Sequence, residues 1–211
     1  MYPFGLATFY GLTFIRTSMK KIVFVDFDET LYTHDSMLVF TRTYFGKGRY
    51  FFGMVILSPI LLGYLLRLVS PTKAKTTWLR FFFGGMPKDK LASIGRQFAL
   101  HEIDKALNRS LFDSLKKEQE YATICIVTAS AKEWLEAWTE QQQFDLIATH
   151  LEYKNNKLTG NLHGKNCNAE EKVRRIQAVY DLAQYDCIEV HGYGRGDLPM
   201  HGLAKTVQQD E

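Results

Sequence analysis

Hydrophobic positions along the chain fall into two patterns, and each predicts a different element. The short runs Ile22–Val25 and Ile124–Val127 are apolar and rich in Val and Ile, each ending at polar residues, and Ile188–His191 places Ile and Val at alternate positions before a Gly-rich loop. Such runs read as buried parallel strands that open into loops at their C-terminal ends. Leu146–Glu152 and Lys157–Leu162, either side of Asn155-Asn156, read as a strand pair. Between the first two strands lie roughly ninety residues, too many for a loop. Their pattern is helical, over His34–Phe45, Tyr50–Val69, Lys73–Phe83, Lys88–Leu100 and Lys105–Glu120. Pro59, with Gly53 and Gly63, predicts that the second of these breaks into two shorter helices.

Chemistry concentrates where the first strand stops, in KKIVFVDFDETL, Lys20–Leu31. Residues i and i+2 of an extended segment point the same way, so Asp26 and Asp28 can face one site while Phe27 turns into the packing. In open α/β sheets this edge is where ligands bind. Two carboxylates this close repel each other and invite a hard cation as counter-charge. A strand-end pair that caps a helix or holds a structural ion would show the same residues.

Asp-x-Asp-x-Thr after a hydrophobic strand resembles the first motif of the haloacid-dehalogenase-like phosphatases. The resemblance implies that Asp26 is a nucleophile forming an aspartyl-phosphate, that Asp28 is the general acid/base, and that Mg2+ sits beside them. Thr123–Ser130, TICIVTAS, resembles the second motif, with Thr128 as the phosphate-binding hydroxyl and Ser130 as its neighbour or as an N-cap for AKEWLEAW. Asn161–Ile176, NLHGKNCNAEEKVRRI, resembles the third motif of the phosphoserine-phosphatase-like branch. Lys172 matches its phosphate-binding lysine, beside Glu170 and Glu171, and Lys165 is the runner-up.

Cys187–Met200, CIEVHGYGRGDLPM, resembles the fourth motif but is two residues short and lacks its first Asp. Asp197 is the carboxylate left in that loop, so the metal ligands implied are Asp26, Asp28 and Asp197, with Glu189 a remote substitute. The fold implied is α/β, a doubly wound and mostly parallel Rossmann-like sheet with an inserted α-helical cap. Residues 19–33 and 121–211 form the hydrolase core, 34–120 the cap, and 1–18 an extension before Met19, which is itself a candidate start. On the cap, Arg49, Arg67, Arg80 and Arg96 are candidate leaving-group contacts, with Arg80 favoured by its apolar setting in WLRFFFGG. Asp35 lies where relatives place a substrate-contacting acid.

The function expected is Mg2+-dependent hydrolysis of a small phosphorylated metabolite. A shortened fourth motif also admits a phosphate-binding or regulatory protein without turnover. Composition narrows the partners: the net charge of +3 and the lack of a basic stripe give no nucleic-acid footprint. The three cysteines, Cys125, Cys167 and Cys187, form no metal spacing and are odd in number. That suits a reducing cytoplasm, the expected location. Tyr50–Val69 is long enough to span a bilayer; it reads first as buried or interfacial cap helices, and a membrane-peripheral enzyme acting on a lipid-linked phosphate is the alternative.

Overall fold

The computed structural model describes residues 19–206, so the segment before Met19 lies outside the described residues. Strand β1 (Lys21–Val25) is followed by the helices α1 (Ser36–Leu65), α2 (Pro71–Phe83), α3 (Lys88–His101) and α4 (Arg109–Glu118). Then come β2 (Ala122–Ala131), α5 (Glu136–Gln142), β3 (Asp145–Thr149) and the short strands β4 (Leu151–Lys154) and β5 (Lys157–Leu162). Helix α6 (Glu170–Val179), strand β6 (Cys187–His191) and the single turn α7 (Leu198–His201) complete the order.

The main sheet runs β3-β2-β1-β6 with every pair parallel. From β1 the chain steps outward through β2 and β3, then returns to the other side of β1 as β6. The C-terminal ends of β1 and β6 therefore flank a switch point, the crevice where doubly wound sheets bind ligands. β1 alternates between two cores: Val23 and Val25 belong to one hydrophobic cluster, Ile22 and Phe24 to another. Burial on both faces explains why Ile22–Val25 is apolar throughout rather than at every second residue, whereas β6 at the sheet edge alternates, with Glu189 and His191 half-exposed. Cys125 and Cys167 are free thiols packed in the second cluster, as small core residues.

The helical insertion is fastened to the sheet by aromatic rings. Phe40 of α1 stacks on Phe83 of α2 and on Trp134 after β2, with centroids 5.4 and 5.2 Å apart. Trp78 Nε1 donates to Thr41 at 2.9 Å, tying α2 to α1. Glycine makes one close approach possible: a Cβ at Gly160 would lie 2.5 Å from Arg80 Cα, so β5 can press against α2 only without a side chain there.

Two expectations change. The break in α1 falls at Gly46, whose φ of 76° and ψ of 165° leave the helical region, and not at Pro59. Pro59 lacks the N–H that Val55 O would accept, and Ser58 Oγ donates to that carbonyl instead, at 2.8 Å. The helix continues to Leu65 and ends there, with Arg67 at positive φ. The other change lies in Leu146–Glu152, which is two strands rather than one. β3 joins the parallel sheet, and after His150 the chain turns away so that β4 pairs with β5. Asn155 and Asn156 both take positive φ, the conformation a two-residue hairpin turn demands.

Candidate active site

Asp26 follows directly on β1, and its amide donates to His191 O at the end of β6, at 2.8 Å. That bond holds the residue at the mouth of the switch point. One carboxylate oxygen receives Lys172 Nζ at 2.5 Å; the other meets the Thr30 hydroxyl at 3.4 Å. Lys172, on the first turn of α6, is only 1% exposed, and its Nζ also reaches Asp197 Oδ1 at 2.6 Å. One buried ammonium thus stands between two carboxylates. Burial works against its charge, but Asp26 and Asp197 outweigh that and raise its pKa. Burial pushes Asp26 up to about 6, although Lys172 pulls in the opposite direction.

The shortened fourth loop reaches the site. Residues Arg195–Asp197 form one 3-10 turn in which Asp197 Oδ2 accepts from Gly194 N at 2.9 Å. Glycines make the turn possible: a Cβ on Gly196 would come within 2.0 Å of Asn168 Oδ1, and one on Gly192 within 2.7 Å of Asp197. Asp197 ends 3% exposed against Lys172. Glu189, by contrast, pairs with Lys21 at 2.6 Å and with His191 at 2.9 Å, away from the cavity.

Asp28 is held differently. Its Oδ1 accepts from Ser36 N at 2.7 Å and its Oδ2 from the Ser130 hydroxyl. Ser130 lies 2.8 Å from Ser36 Oγ, which accepts from Trp134 Nε1 at 3.1 Å. Since the Ser130 proton is committed to Asp28, the chain of donation runs Trp134, Ser36, Ser130, Asp28. Burial first, and the nearby charge of Asp35 second, push Asp28 up to about 6. A carboxyl there can carry a proton near neutral pH and still lose it. Ser130 caps no helix: α5 starts at Glu136, with Leu135 at its cap position and no side-chain cap bond.

Thr128 is 1% exposed, and its Oγ accepts from Ser130 N at 3.0 Å, beneath the surface that Ala129 and Ser130 present. Asp35 caps α1, accepting from Leu38 N at 3.0 Å, and burial raises its pKa. Asp26, Asp28, Asp35, Lys172 and Asp197 all line one cavity of about 570 Å³. Arg80 is elsewhere: it is exposed and donates to Asn161 at 2.6 Å. Arg49, Arg67 and Arg96 are exposed as well, and Lys165 offers its carbonyl to Arg175. A larger cavity of about 730 Å³, lined by Arg96, Lys132 and His150 among others, contains none of the site carboxylates.

The cation that the helical insertion does contribute is Lys75 of α2. Its Nζ donates to Ala129 O at 2.8 Å and to Asn166 Oδ1 at 3.1 Å on the cavity wall, and burial lowers its pKa. Nothing in its sequence neighbourhood separates it from Lys73; only the helix face it occupies does. Ser36 does carry a local signal, its place in THDS just after the first motif, whereas Trp134 carries none beyond its bulk.

Among the described residues no three His, Cys, Asp or Glu side chains converge into a metal cage of their own. The donor set nonetheless fits a hard divalent cation. Each carboxylate oxygen has a second acceptor site beyond the hydrogen bond it makes here. A small cation of that kind takes one or two carboxylates and completes its shell with water and substrate oxygens.

The haloacid dehalogenase-like hydrolase family matches residues 23–201. The chain belongs to that family. It is 30% identical over 186 residues to Protein CicA of Caulobacter vibrioides, covering 87% of this chain and 82% of that one. A Bordetella pertussis protein of unknown function has the same fold, with a TM-score of 0.76 at 18% identity over 90% of this chain and 89% of its own. A phospho-aspartyl intermediate analogue of phosphoserine phosphatase superposes with a TM-score of 0.60 at 15% identity, covering 88% and 84%. The parallel core with a helical insertion is thus a fold shared with phosphoserine phosphatase.

Proposed function

We propose that this hydrolase is a Mg2+-dependent phosphatase that cleaves phosphomonoesters through an aspartyl-phosphate on Asp26. The observation that carries the reading is Lys172 Nζ held between Asp26 and Asp197 in a cavity that also contains Asp28. A structural ion pair would need neither the second proton-bearing carboxylate nor the opening to solvent.

In the first step an Asp26 oxygen bonds to phosphorus and the ester P–O bond breaks. The departing alkoxide takes the proton from Asp28. Asp28, now ionised, then takes a proton from the water that attacks phosphorus, and Asp26 leaves as a free carboxylate. Splitting hydrolysis this way replaces one difficult displacement by two easier ones. Lys172 keeps Asp26 ionised and offsets charge on the phosphoryl oxygens, while Ser130 and Ser36 fix the orientation of Asp28. Thr128 lies below that rim as the second-motif hydroxyl. Mg2+, held by Asp26 and Asp197 with Asp28 beside them, would neutralise charge between the nucleophile and the phosphate.

Hydrolysis of p-nitrophenyl phosphate with and without Mg2+, for the wild type and Asp26→Asn, tests this. Metal-dependent turnover that falls by about a thousandfold in the variant is expected. A folded wild type that turns nothing over at any metal concentration would overturn the reading and leave a phosphate-binding protein.

A further inference from the structure

Beyond its kink at Gly46, α1 is apolar on two opposite faces. The inner face carries Gly53 and Leu57, and a Cβ at Gly53 would meet the Phe82 ring at 2.1 Å. The outer face carries Phe52, Val55, Ile56 and Leu62, each between 50 and 70% exposed. Only 11% of the most apolar stretch of this helix is buried. A helix on the surface of a soluble domain ordinarily turns charged residues outward, and one that is apolar all round meets a second apolar phase.

Charge says which phase. Between Asp35 and Asp89 the chain carries eight Lys and Arg residues and no Asp or Glu, while the whole chain is only +3. The cap is therefore a cationic body on an otherwise net acidic chain. Lys47, Arg49, Arg67 and Lys73, all exposed, bracket the apolar stripe in sequence. An apolar stripe with basic residues at both ends suits an anionic lipid surface, where each cation near the headgroups strengthens binding. The helix does not leave the fold to cross the bilayer. Its first residue is tied to Asp28, its inner face to α2, and its last turn lines the active cavity.

That last turn connects the two surfaces. Leu61, Tyr64, Leu65, Pro71 and Trp78 form an apolar wall of the cavity whose floor holds the carboxylates. Leu65 and its neighbours Leu62 and Leu66 are also exposed, so the wall continues into the outer stripe without a polar rim. We infer that the outer face of α1 seats this enzyme on an anionic bilayer, and that the phosphomonoester it takes is the headgroup of a lipid in that bilayer. The second half rests on the phosphatase reading above; the first does not.

The test uses the full chain with vesicles of phosphatidylcholine, plain or with a third replaced by phosphatidylglycerol. Flotation with the anionic vesicles, weakened by salt, is expected. So is hydrolysis of phosphatidic acid in those vesicles at about a hundredfold the kcat/KM for glycerol 3-phosphate, as lipid and enzyme concentrate on one surface. Phe52→Asp/Val55→Asp should lose flotation and the lipid preference by at least about tenfold, with p-nitrophenyl phosphate turnover unchanged. Lys47→Glu/Lys73→Glu is the independent variant, expected to weaken flotation while leaving the apolar stripe intact. A chain that stays unbound overturns the docking, and a dimer by light scattering without flotation assigns the face to a second copy. Flotation without any preference for phosphatidic acid overturns the substrate assignment. Loss of all turnover, p-nitrophenyl phosphate included, fails the phosphatase reading whatever flotation shows.

Discussion

Two regions of this molecule invert the usual distribution of side chains, in opposite senses. At the C-terminal edge of the sheet, ionisable groups are buried: Asp26, Lys172 and Asp197 are each 9% exposed or less. Along the outer face of α1, large apolar groups are exposed. The first region ties its groups down, each with named partners at hydrogen-bond distance. The second has none. A buried charge and an exposed apolar patch are the two observations that mark function, because folding alone selects against both. Their difference is informative: the groups at the edge are already tied to one another, and the helix face has no partner among the described residues.

The sharpest way to break the comparison is to remove the cation on which the edge depends. Lys172→Met leaves Asp26 and Asp197 buried against each other with no counter-charge. Losing one partner of a buried ionic cluster costs about 3–5 kcal/mol, so a large fall in Tm is expected. Turnover should fall by about a hundredfold or more at temperatures where the variant is folded. A variant as stable as the wild type would mean that the two carboxylates are not held charged by Lys172.

Neighbouring positions on α1 probe the two faces of one helix. Gly53→Ala drives a methyl group into Phe82, and overpacking of this kind costs about 1–3 kcal/mol. Phe52→Ser, one residue earlier, removes a ring that is 62% exposed and should move stability by no more than about 0.5 kcal/mol. Urea unfolding of both variants measures the contrast. Equal destabilisation would show that the outer face is packed against something within the chain.

Much of the sheet edge was legible beforehand, for a physical reason. A buried parallel strand must be apolar on both faces, so Ile22–Val25 and Ile124–Val127 stand out, while the edge strand Ile188–His191 shows only alternation, and a strand end fixes where Asp26 and Asp28 must be. What stayed hidden depends on tertiary choices. Nothing local tells that β3 and β4 part company at His150, since each half is a good strand and only the partner differs. Pro59 reads as a break because its missing N–H is local, whereas Ser58 answering for it through Val55 O is a matter of rotamer. Nothing local sets Lys75 above the arginines of the cap, because a helix face can be read only once its neighbours are placed. Arg80 has an apolar setting in sequence yet lies at the surface beside Asn161.

Ser130 tests how far the edge owes its chemistry to hydrogen bonds rather than to charge. Ser130→Ala removes the hydroxyl that donates to Asp28 Oδ2 and interrupts the relay from Trp134 through Ser36. That hydroxyl stabilises the ionised form, so without it the pKa of Asp28 should rise. A fall in kcat of about tenfold is expected, with the alkaline limb of the pH profile moved upward. An unchanged pH profile would assign the loss to packing alone.

The smallest effect separates two kinds of buried carboxylate within the edge itself. Glu171 sits one residue before Lys172 on α6. Hydrogen bonds from Arg174, opposed by burial and reinforced by Arg175, bring its pKa down to about 2. A carboxyl depressed below its unfolded value of about 4.3 stabilises the fold above that pH, and the contribution is lost as pH falls toward 2. Asp26 and Asp28 are raised to about 6, so before any metal binds their contribution has the opposite sign and declines as pH rises from about 4 to 6. Glu171→Gln should therefore lower Tm modestly at pH 7, and the gap to wild type should close below pH 4. Asp28→Asn should change Tm least at low pH, where Asp28 is neutral in both states, and should gain on wild type as pH rises from about 4 to 6. If both gaps ran the same way with pH, Asp28 would be held charged as Glu171 is, and the edge would lose its distinction from an ordinary ionic surface.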